Sequence, residues 1–457
     1  MQLHPGHCVA IFGGAVAGAE AAGLLSQQGI YTVIFEQNAL PYGKIEDGLP
    51  KWHVKLRDKE EQKIDEKLRN PYVQFVPNTK LGDDIDFETI IKKWGFSAVL
   101  LAIGAWRDRP LPVEGIDAYV GKGLYYQNPF IYWFNHYHEP NFSGETFEVH
   151  DGTVVIGGGL ASIDVIKALM IITVGRALRE RGHKVDFFEL EKRGPARILD
   201  ELHLTMDDLG LKGCSLYYRR TAINMPLTPI PEDADERRLQ KAYEVRERMM
   251  KKLQDEFLFQ FHECHSPVDK ILEGERLAGL VFQKNEVVDG RPRPIPGAFI
   301  EVRTPLVISS IGSIPELVPG IPVKGNVFNF TDESTGQIQG YPNVFALGNT
   351  VTGRGNIKDS RQHGGLVGQH VLTDFLAWKE AYHRALADEK AEKLSEQVTA
   401  INSALDAQKL LSSEQISAIF DRAKARQKQV GFDGDYEKWR QKHLPVRLEN
   451  MGENQPI

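Results

Sequence analysis

Two glycine-rich segments have the composition and spacing of sites that bind dinucleotide phosphates. The first follows the apolar residues 9–12, and its small residues are Gly13, Ala15, Ala17 and Gly18. Small residues between a strand and a helix let a pyrophosphate approach the N–H groups at the helix amino terminus. Glu36 ends the next apolar run, eighteen residues beyond Gly18, and could accept hydrogen bonds from a ribose. This order predicts a dinucleotide-binding βαβ unit in which Ala15 replaces the middle glycine.

The second glycine-rich segment repeats the arrangement after the apolar residues 153–156. Its candidate binding residues are Gly157, Gly159, Leu160, Ala161 and Ser162. Two dinucleotide folds in one chain predict two dinucleotides, and the natural pair is a flavin, FAD, and a nicotinamide. Hydride transfer between two such rings depends on stacking geometry, so no catalytic side chain is predicted.

Two places could distinguish NADPH from NADH. Residues 184–194 could form the next strand, ending in acids beside Lys192 and Arg193. Alternatively, they belong to a charged helical insertion that runs to about residue 211, and the strand is 215–218, followed by Arg219 and Arg220. The second interpretation is favoured because residues 184–192 show no clean alternation. Paired guanidinium groups suit a 2′-phosphate, which favours NADPH, unless both arginines are simply solvated.

Bulk properties exclude several classes of protein. At 457 residues the chain can form two or three domains, and a net charge of −7 argues against nucleic acid as the main partner. No apolar run approaches the length of a membrane span and no secretory signal is visible, so a cytoplasmic protein without membrane association is expected.

The three cysteines and the histidine-rich segment predict no metal or disulfide chemistry. Cys8, Cys214 and Cys264 form no CxxC pair and are too few for an ordinary iron–sulfur cluster. Residues 262–265 (His-Glu-Cys-His) look metal-like, but residues 257–261 lead into them as an apolar-rich strand and no second ligand pair lies nearby. They are interpreted as strand-end and loop residues.

Several further motifs resemble one flavoprotein family. The aromatic segment at residues 123–135 resembles the linker of adrenodoxin reductase and its bacterial ferredoxin–NADP reductase relatives. The first glycine segment, the turn-rich loop at 41–50 and the strand end at 102–105 fit the same family. A related group, the glutamate synthase small (beta) subunit, is matched by residues 216–221, 225–226, 290–295 and 307–312. The resemblance covers about residues 5–375.

The resemblance implies an α/β fold of the glutathione reductase type, with two Rossmann-like dinucleotide-binding domains. Residues 1–118 and 325–378 would form a discontinuous FAD domain, residues 119–324 an NAD(P)H domain, and residues 379–457 a helical C-terminal extension. Besides the first glycine segment and Glu36, the expected FAD-binding residues are Gly43, Gly104, Ala105, Gly348, Asn349, Gly355, Asn356 and Ile357. A helix starting near Ile357 would point its amino terminus at the pyrimidine end of the flavin and stabilise the reduced ring.

The activity implied is oxidation of NADPH through FAD, with electrons passed singly to a ferredoxin-like acceptor. The basic residues Lys51, His53, Lys55 and Arg57 could face an acidic ferredoxin or form a solvated loop. Three other functions stay open: an electron-input subunit of a larger enzyme, a non-catalytic flavin-binding redox sensor, and direct reduction of a small organic substrate. The charged extension could cover the core, dimerise the protein or dock a partner, and about the last ten residues are expected to be disordered.

Overall fold

The structure is a computed structural model that describes residues 3–231, 233–353, 355–377 and 410–451. Its contacts divide the chain into two units. The first consists of Met1–Leu49, His53–Arg107 and Ser313–Pro445, and the second of Pro50–Trp52, Asp108–Gly312 and Val446–Ile457.

The described part of the chain contains nineteen strands. In chain order they are β1 Cys8–Phe12, β2 Tyr31–Phe35, β3 Val73–Val76, β4 Ala98–Leu101, β5 Arg107–Asp108, β6 Leu124–Tyr126, β7 Val154–Gly157, β8 Ser215–Tyr217, β9 Gln260–His262, β10 His265–Glu273, β11 Arg276–Val288, β12 Arg291–Arg303, β13 Val307–Ser310, β14 Ser313–Ile314, β15 Val323–Lys324, β16 Val327–Phe328, β17 Phe330–Asp332, β18 Gln337–Ile338 and β19 Val344–Ala346.

Most of the described helices lie before β9 or after β19, and the described strands between β9 and β19 follow one another without a helix. In chain order the helices are α1 Val16–Gln27, α2 Lys44–Asp47, α3 Val54–Leu68, α4 Phe87–Thr89, α5 Gln127–His136, α6 Leu160–Glu180, α7 Phe187–Arg193, α8 Pro195–Glu201, α9 Glu236–Phe257, α10 Asn349–Thr352, α11 Ile357–His370, α12 Ser413–Gln429 and α13 Tyr436–His443. Short 3₁₀ turns occupy Ile116–Tyr119, Ala222–Asn224 and Leu448–Asn450, and π-turns occupy Ile90–Trp94 and Val371–Phe375.

The first unit is built on one large sheet. Among the described residues it has seven strands in the order β17-β18-β19-β4-β1-β2-β3, and the five from β19 to β3 are parallel. β1 is apolar and completely buried, as expected of a central strand covered by helices on both faces. In register, Phe12 lies beside Phe35, so the residues that follow β1 and β2 meet at the same edge of the sheet.

The second unit contains a five-stranded parallel sheet in the order β6-β13-β7-β8-β9, counted over the described residues. A separate antiparallel sheet is formed by β10, β11 and β12. The two parallel α/β sheets, one in each unit, confirm the predicted fold class.

The helical insertion predicted after α6 is confirmed, and with it the position of the next strand. α7 and α8 occupy the segment that could have been a strand, whereas Ser215–Tyr217 pairs in parallel with β7. The strand predicted over residues 257–261 is wrong in its first half. Phe257 ends the long helix α9, where its buried ring joins the core, and the strand begins only at Gln260.

Helix α12, in the predicted C-terminal extension, begins after Ser412 with a capped first turn. The Ser412 side chain accepts a hydrogen bond from the Gln415 amide, and the Gln415 side chain accepts one from the Ser412 amide, which together form a capping box. The rest of the predicted extension, residues 379–409, and the terminal residues 452–457 lie outside the described residues. Within the described ranges, no helix combines the length and apolar composition needed to cross a bilayer.

Candidate cofactor sites

The first glycine turn is shaped by contacts within the protein. Gly13 has a φ of 98°, in the left-handed region that favours glycine, and a Cβ there would overlap the carbonyl oxygen of Ala102. At Gly18 a Cβ would overlap the carbonyl oxygen of Gly13. These glycines let the backbone fold back tightly between β1 and α1, as the sequence predicted.

The amino terminus of α1 is open to an anion. The residue before the helix, Ala15, is extended and offers no side-chain cap, and the first turn contains no acid. By contrast, α9 and α11 are capped by the side chains of Asp235 and Asn356. Uncapped N–H groups at the positive end of the helix dipole are suited to bind phosphate.

Glu36 lies directly beside this turn. Its Oε2 accepts a hydrogen bond from the Gly14 amide at 2.7 Å, and its Oε1 accepts one from the Asn38 amide at 3.0 Å. The side chain is buried, and burial raises the pKa of Glu36 to about 7 although both amides favour the carboxylate. The structure therefore brings the predicted ribose acceptor and the predicted pyrophosphate turn together.

The turn-rich loop at residues 41–43 packs against the glycine turn. A Cβ on Gly14 would lie 2.8 Å from the Cβ of Pro41, and a Cβ on Gly43 would lie 2.9 Å from the Cβ of Ala15. Gly43 also has a φ of 51°. The alanine at position 15 thus fits because the residue facing it is glycine, which accounts for the departure from the usual fingerprint.

Two strand ends predicted to approach the flavin are joined by hydrogen bonds. The Gly104 amide donates to Thr350 Oγ1 at 2.9 Å, and the Gly348 amide donates to His363 Nδ1 at 3.1 Å. Ala105 is buried beside Gly104. The sequence pattern did not identify Thr350 or His363. Both accept hydrogen bonds from backbone amides, and such pairing leaves no periodic pattern in a sequence.

Asn349 and Asn356 both accept hydrogen bonds from backbone amides of the protein. Asn349 Oδ1 accepts a hydrogen bond from the Gly355 amide at 3.0 Å, and Asn356 Oδ1 accepts one from the Asp359 amide at 2.7 Å. Asn356 thereby caps α11, which begins at Ile357. The structure therefore gives both asparagines a role in shaping the loop before α11.

Helix α11 crosses α1 at close range through glycines. A Cβ on Gly364 would lie 2.6 Å from the carbonyl oxygen of Ala17, and a Cβ on Gly368 would lie 3.2 Å from the Cα of Ala21. Gly348 also faces Ala17, whose Cβ would overlap any side chain there. The predicted residues Ala17 and Gly348 are thus in direct contact.

In the second glycine turn, as in the first, glycines lie where a Cβ would meet other protein atoms. A Cβ on Gly157 would lie 2.5 Å from the carbonyl oxygen of Ser310, and a Cβ on Gly158 would overlap the ring of Tyr218. A Cβ on Gly159, in contrast, would have no protein atom within 4 Å. Of these three glycines, Gly159 is the one whose backbone has open space beside it.

Helix α6 follows this turn with an uncapped amino terminus. Neither a side-chain cap nor an acid is present in its first turn, which starts with Leu160 and Ala161. Leu160 is 52% exposed. Ser162 is buried and donates to the Gly159 carbonyl at 2.7 Å, so its hydroxyl stabilises the turn.

Arg219 and Arg220 follow β8, but they differ in availability. Arg220 Nε donates to Tyr218 Oη at 2.8 Å, and its Nη1 donates to the Gly290 carbonyl at 3.2 Å. Arg219 is exposed, and its guanidinium makes no hydrogen bond or ion pair with any other residue that the structure describes. The parallel pairing of β7 and β8 places Arg219 at the same sheet edge as the glycine turn.

The alternative pair, Lys192 and Arg193, lies on α7 within the helical insertion. Arg193 forms ion pairs there with Glu189 and Glu201. Arg193 is therefore engaged within its own helix and with α8, and it does not follow a strand.

The basic segment suggested as a ferredoxin-facing surface does not form one exposed patch. Lys51 is only 6% exposed, and its ammonium lies 4.6, 4.2 and 5.0 Å from the ring centres of Phe134, Tyr137 and Phe187. Arg57 is buried and ion-paired with Asp58. The sequence could not show this, because alternating basic residues look the same in a solvated loop and in a buried corner.

The histidine-rich segment joins two strands. His262 ends β9 and His265 begins β10, and His265 Nδ1 hydrogen-bonds to the Glu263 carbonyl at 2.6 Å. The prediction that these are strand-end and loop residues is confirmed. In the portion of the chain described, no three His, Cys, Asp or Glu side chains are grouped so that they could hold a metal ion.

No protein-family model matches the chain, but comparison with known proteins finds relatives that are similar to it in sequence. It is 31% identical over 210 residues to the glutamate synthase [NADPH] small chain of Bacillus subtilis, which is 43% of this chain and 38% of that relative. It is 22% identical over 377 residues to the mitochondrial NADPH:adrenodoxin oxidoreductase of Arabidopsis thaliana, which is 74% of this chain and 76% of the relative.

Among solved structures, Mycobacterium tuberculosis FprA in complex with NADPH has a similar fold. The TM-score is 0.62 at 18% identity, and the match covers 89% of this chain and 92% of FprA. At this identity the likeness concerns the fold. Together with the two sequence relatives, it confirms the resemblance to adrenodoxin reductase-type ferredoxin–NADP reductases and glutamate synthase small chains that the sequence motifs indicated.

Proposed function

We propose that the chain is an FAD-containing, NADPH-dependent oxidoreductase that passes electrons to a ferredoxin-like acceptor. The observation that carries this proposal is the difference between the two glycine turns. The carboxylate of Glu36 is bonded to the first turn, whereas the free guanidinium of Arg219 follows the strand beside the second. A carboxylate suits an unphosphorylated ribose and a guanidinium suits a 2′-phosphate, so the two sites fit different dinucleotides.

The protein's own contribution is binding and orientation. When bound, FAD and NADPH supply the hydride-transfer chemistry, which needs ring stacking and no acid–base side chain. The amino termini of α1 and α6, which lack side-chain caps, would hold the two pyrophosphates. The strand ends and loop that carry Gly43, Gly104, Ala105, Gly348 and Asn349 would hold the flavin. The amino terminus of α11, with Gly355, Asn356 and Ile357, would favour negative charge on a bound flavin through the helix dipole.

The electron acceptor is proposed from the names of the relatives. Similarity to an NADPH:adrenodoxin oxidoreductase supports a small ferredoxin-like protein as acceptor. Similarity to a glutamate synthase small chain supports a second candidate function, that of an electron-input subunit of a larger redox enzyme. The chain spans only 38% of that small chain, so the ferredoxin-like acceptor is preferred. The reaction is proposed to take place in the cytoplasm.

Anaerobic titration of the purified full-length chain tests the proposal. The protein should carry FAD, and NADPH should bleach its visible flavin absorbance at lower concentration than NADH. Added ferredoxin should then reoxidise the flavin in single-electron steps. A chain that binds FAD but is not reduced by NADPH would instead be a flavin-binding sensor. Copurification with a large enzyme, combined with failure to reduce free ferredoxin, would favour the electron-input subunit.

A further inference from the structure

The last helix of the first unit, α13, is bonded to the loop that packs on the first glycine turn. Trp439 Nε1 donates a hydrogen bond to the Ala39 carbonyl at 2.7 Å. The Trp439 ring is buried and makes an edge contact with Phe432 at 5.3 Å between ring centres. The Trp439 side chain therefore holds the backbone at Ala39, in the segment that leads into Pro41.

A second connection runs through a buried carboxylate. Asp65 on α3 accepts a hydrogen bond from Tyr436 Oη at 2.6 Å and another from Tyr42 Oη at 3.1 Å, both at Oδ1. Arg440 Nε lies 3.6 Å from Asp65 Oδ2 and supplies the opposite charge. Because Asp65 is 4% exposed, water does not compete for these bonds. Tyr436 and Tyr42 are thus coupled by one shared acceptor.

The tyrosine in the loop stands between the two residues that touch the glycine turn. Pro41 packs on Gly14, and Gly43 packs on Ala15, at separations that leave no room for a further methyl group. Any shift of Tyr42 must therefore move the residues that border the proposed pyrophosphate site. The connection runs without a break from α13 through Asp65 and Tyr42 to the turn.

Helix α13 is held in place independently of these bonds. The preceding helix, α12, lies along the edge strand β3: Gln427 Nε2 donates to the Phe75 carbonyl at 2.6 Å, and Arg426 Nη2 donates to the Asn78 carbonyl at 2.8 Å. The Tyr436 ring also meets Phe75 edge-on at 5.3 Å. Removal of one hydroxyl or one indole N–H should therefore leave the helix docked.

We propose that Tyr436 and Trp439 are positioning residues that hold the loop at residues 39–43 against the glycine turn and so retain FAD. This inference rests on the proposed function, since it concerns the same cofactor site. It assigns the described end of the C-terminal extension a role in flavin retention. The effect on the cofactor passes through the loop, which Tyr436 reaches through Asp65 and Trp439 reaches through Ala39, rather than through contact of α13 with the cofactor.

The test is the rate of FAD release from the full-length chain. Tyr436→Phe removes a hydrogen bond to a carboxylate, and Trp439→Phe removes one to a carbonyl, while both keep an aromatic ring in the core. We expect release to accelerate about tenfold in Tyr436→Phe and about fivefold in Trp439→Phe. At saturating FAD, kcat for NADPH oxidation should stay within about twofold of wild type. Lys438→Ala is the matched control, because the Lys438 side chain is bonded only to Asp433 among the residues described.

A double-mutant cycle separates positioning from general stability. If Tyr42 and Tyr436 act through the shared Asp65 carboxylate, Tyr42→Phe and Tyr436→Phe should have non-additive effects on FAD release. Additive effects, or release at the wild-type rate in both α13 variants, would overturn the inference. Wild-type protein that binds no FAD would instead refute the proposed function. If Tyr436→Phe does not fold, Trp439→Phe decides the question by itself, since its bond to Ala39 does not involve Asp65.

Discussion

Glu36 accepts a hydrogen bond from the Gly14 amide at 2.7 Å, so the proposed ribose-binding acid and the proposed pyrophosphate turn are directly bonded. The bond fixes one carboxylate oxygen and shapes the turn at the same time. Burial nevertheless penalises the charge, and the pKa of Glu36 is raised to about 7. The protonation state of this proposed ribose acceptor should therefore change within the physiological pH range.

The first prediction concerns FAD affinity and pH. Ribose hydroxyls donate to the ionised carboxylate, and with a pKa of about 7 the ionised fraction rises from roughly one tenth at pH 6 to nine tenths at pH 8. FAD should therefore bind about tenfold more tightly at pH 8 than at pH 6. Glu36→Gln should weaken binding and remove this pH dependence. Flavin fluorescence titrations at pH 6, 7 and 8 measure both effects.

In the protein without cofactor, the raised pKa of Glu36 should affect stability in the direction opposite to its effect on FAD affinity. The folded pKa of Glu36 is above its unfolded value of 4.5, so its contribution is fully present below pH 4.5 and is lost as the pH rises through 7. The loss is about 1.4 kcal/mol per pH unit over that interval. Relative to Glu36→Gln, wild type should therefore become less stable as the pH rises while its affinity for FAD increases. If stability and FAD affinity both rose with pH, the raised pKa of Glu36 would be contradicted.

The second prediction distinguishes the two arginines after β8. Arg219→Ala should raise KM for NADPH about 10- to 100-fold, the effect of losing a charge-assisted hydrogen bond to phosphate, and leave KM for NADH nearly unchanged. Arg220 is already bonded to Tyr218 and Gly290, so Arg220→Ala should affect both cofactors alike by disturbing the loop. Steady-state kinetics of both variants with NADPH and with NADH measure these KM values. If Arg219→Ala changes KM for NADPH and for NADH equally, Lys192 and Arg193 become the candidates for binding the 2′-phosphate.

Features that depend on neighbouring residues could be predicted from the sequence. The turn after β1, Glu36 at the end of the next strand, and the strand before Arg219 each follow from a short run of residue types. Phe257 was misassigned because an apolar residue at the end of a charged helix looks like the start of a strand. Even there the error was limited to the boundary between α9 and β9.

Features that depend on long-range pairing could not be predicted. Tyr436 meets Tyr42 through Asp65, and Thr350 meets Gly104, across hundreds of residues in each case. Contacts between residues so far apart in the chain leave no periodic pattern in a single sequence. The same limit explains why Lys51 was interpreted as a surface charge although the structure buries it among aromatic rings.

The third prediction uses neighbouring glycines in the second turn. A Cβ on Gly159 meets no protein atom within 4 Å, so Gly159→Ala should leave the melting temperature of the cofactor-free protein unchanged. If the NADPH pyrophosphate approaches this backbone, the added methyl group should still weaken NADPH binding by at least about tenfold. Gly158→Ala is the contrasting variant, because its Cβ would overlap the Tyr218 ring and should lower stability. Calorimetry of NADPH binding and thermal unfolding measure the two effects, and unchanged NADPH affinity in Gly159→Ala would exclude close approach there.

The fourth prediction concerns the stability cost of Lys51. Burial lowers the pKa of Lys51 from 10.5 to about 7, although the three rings around its ammonium favour the charged form. The unfolded chain therefore binds the proton more tightly than the folded chain, and stability is lost as the pH falls from about 10.5 to 7.

Lys51→Met keeps a long, unbranched side chain in this aromatic corner and removes the titrating group. The variant should be more stable than wild type at pH 7, and its advantage should shrink by about 1.4 kcal/mol for each pH unit up to pH 9. Lys55→Met, at an exposed position, should show no such trend. Urea unfolding at pH 7, 8 and 9 measures the differences. Parallel curves for wild type and Lys51→Met would show that the Lys51 amine keeps its charge in the folded protein, with the ring faces compensating for the lost hydration.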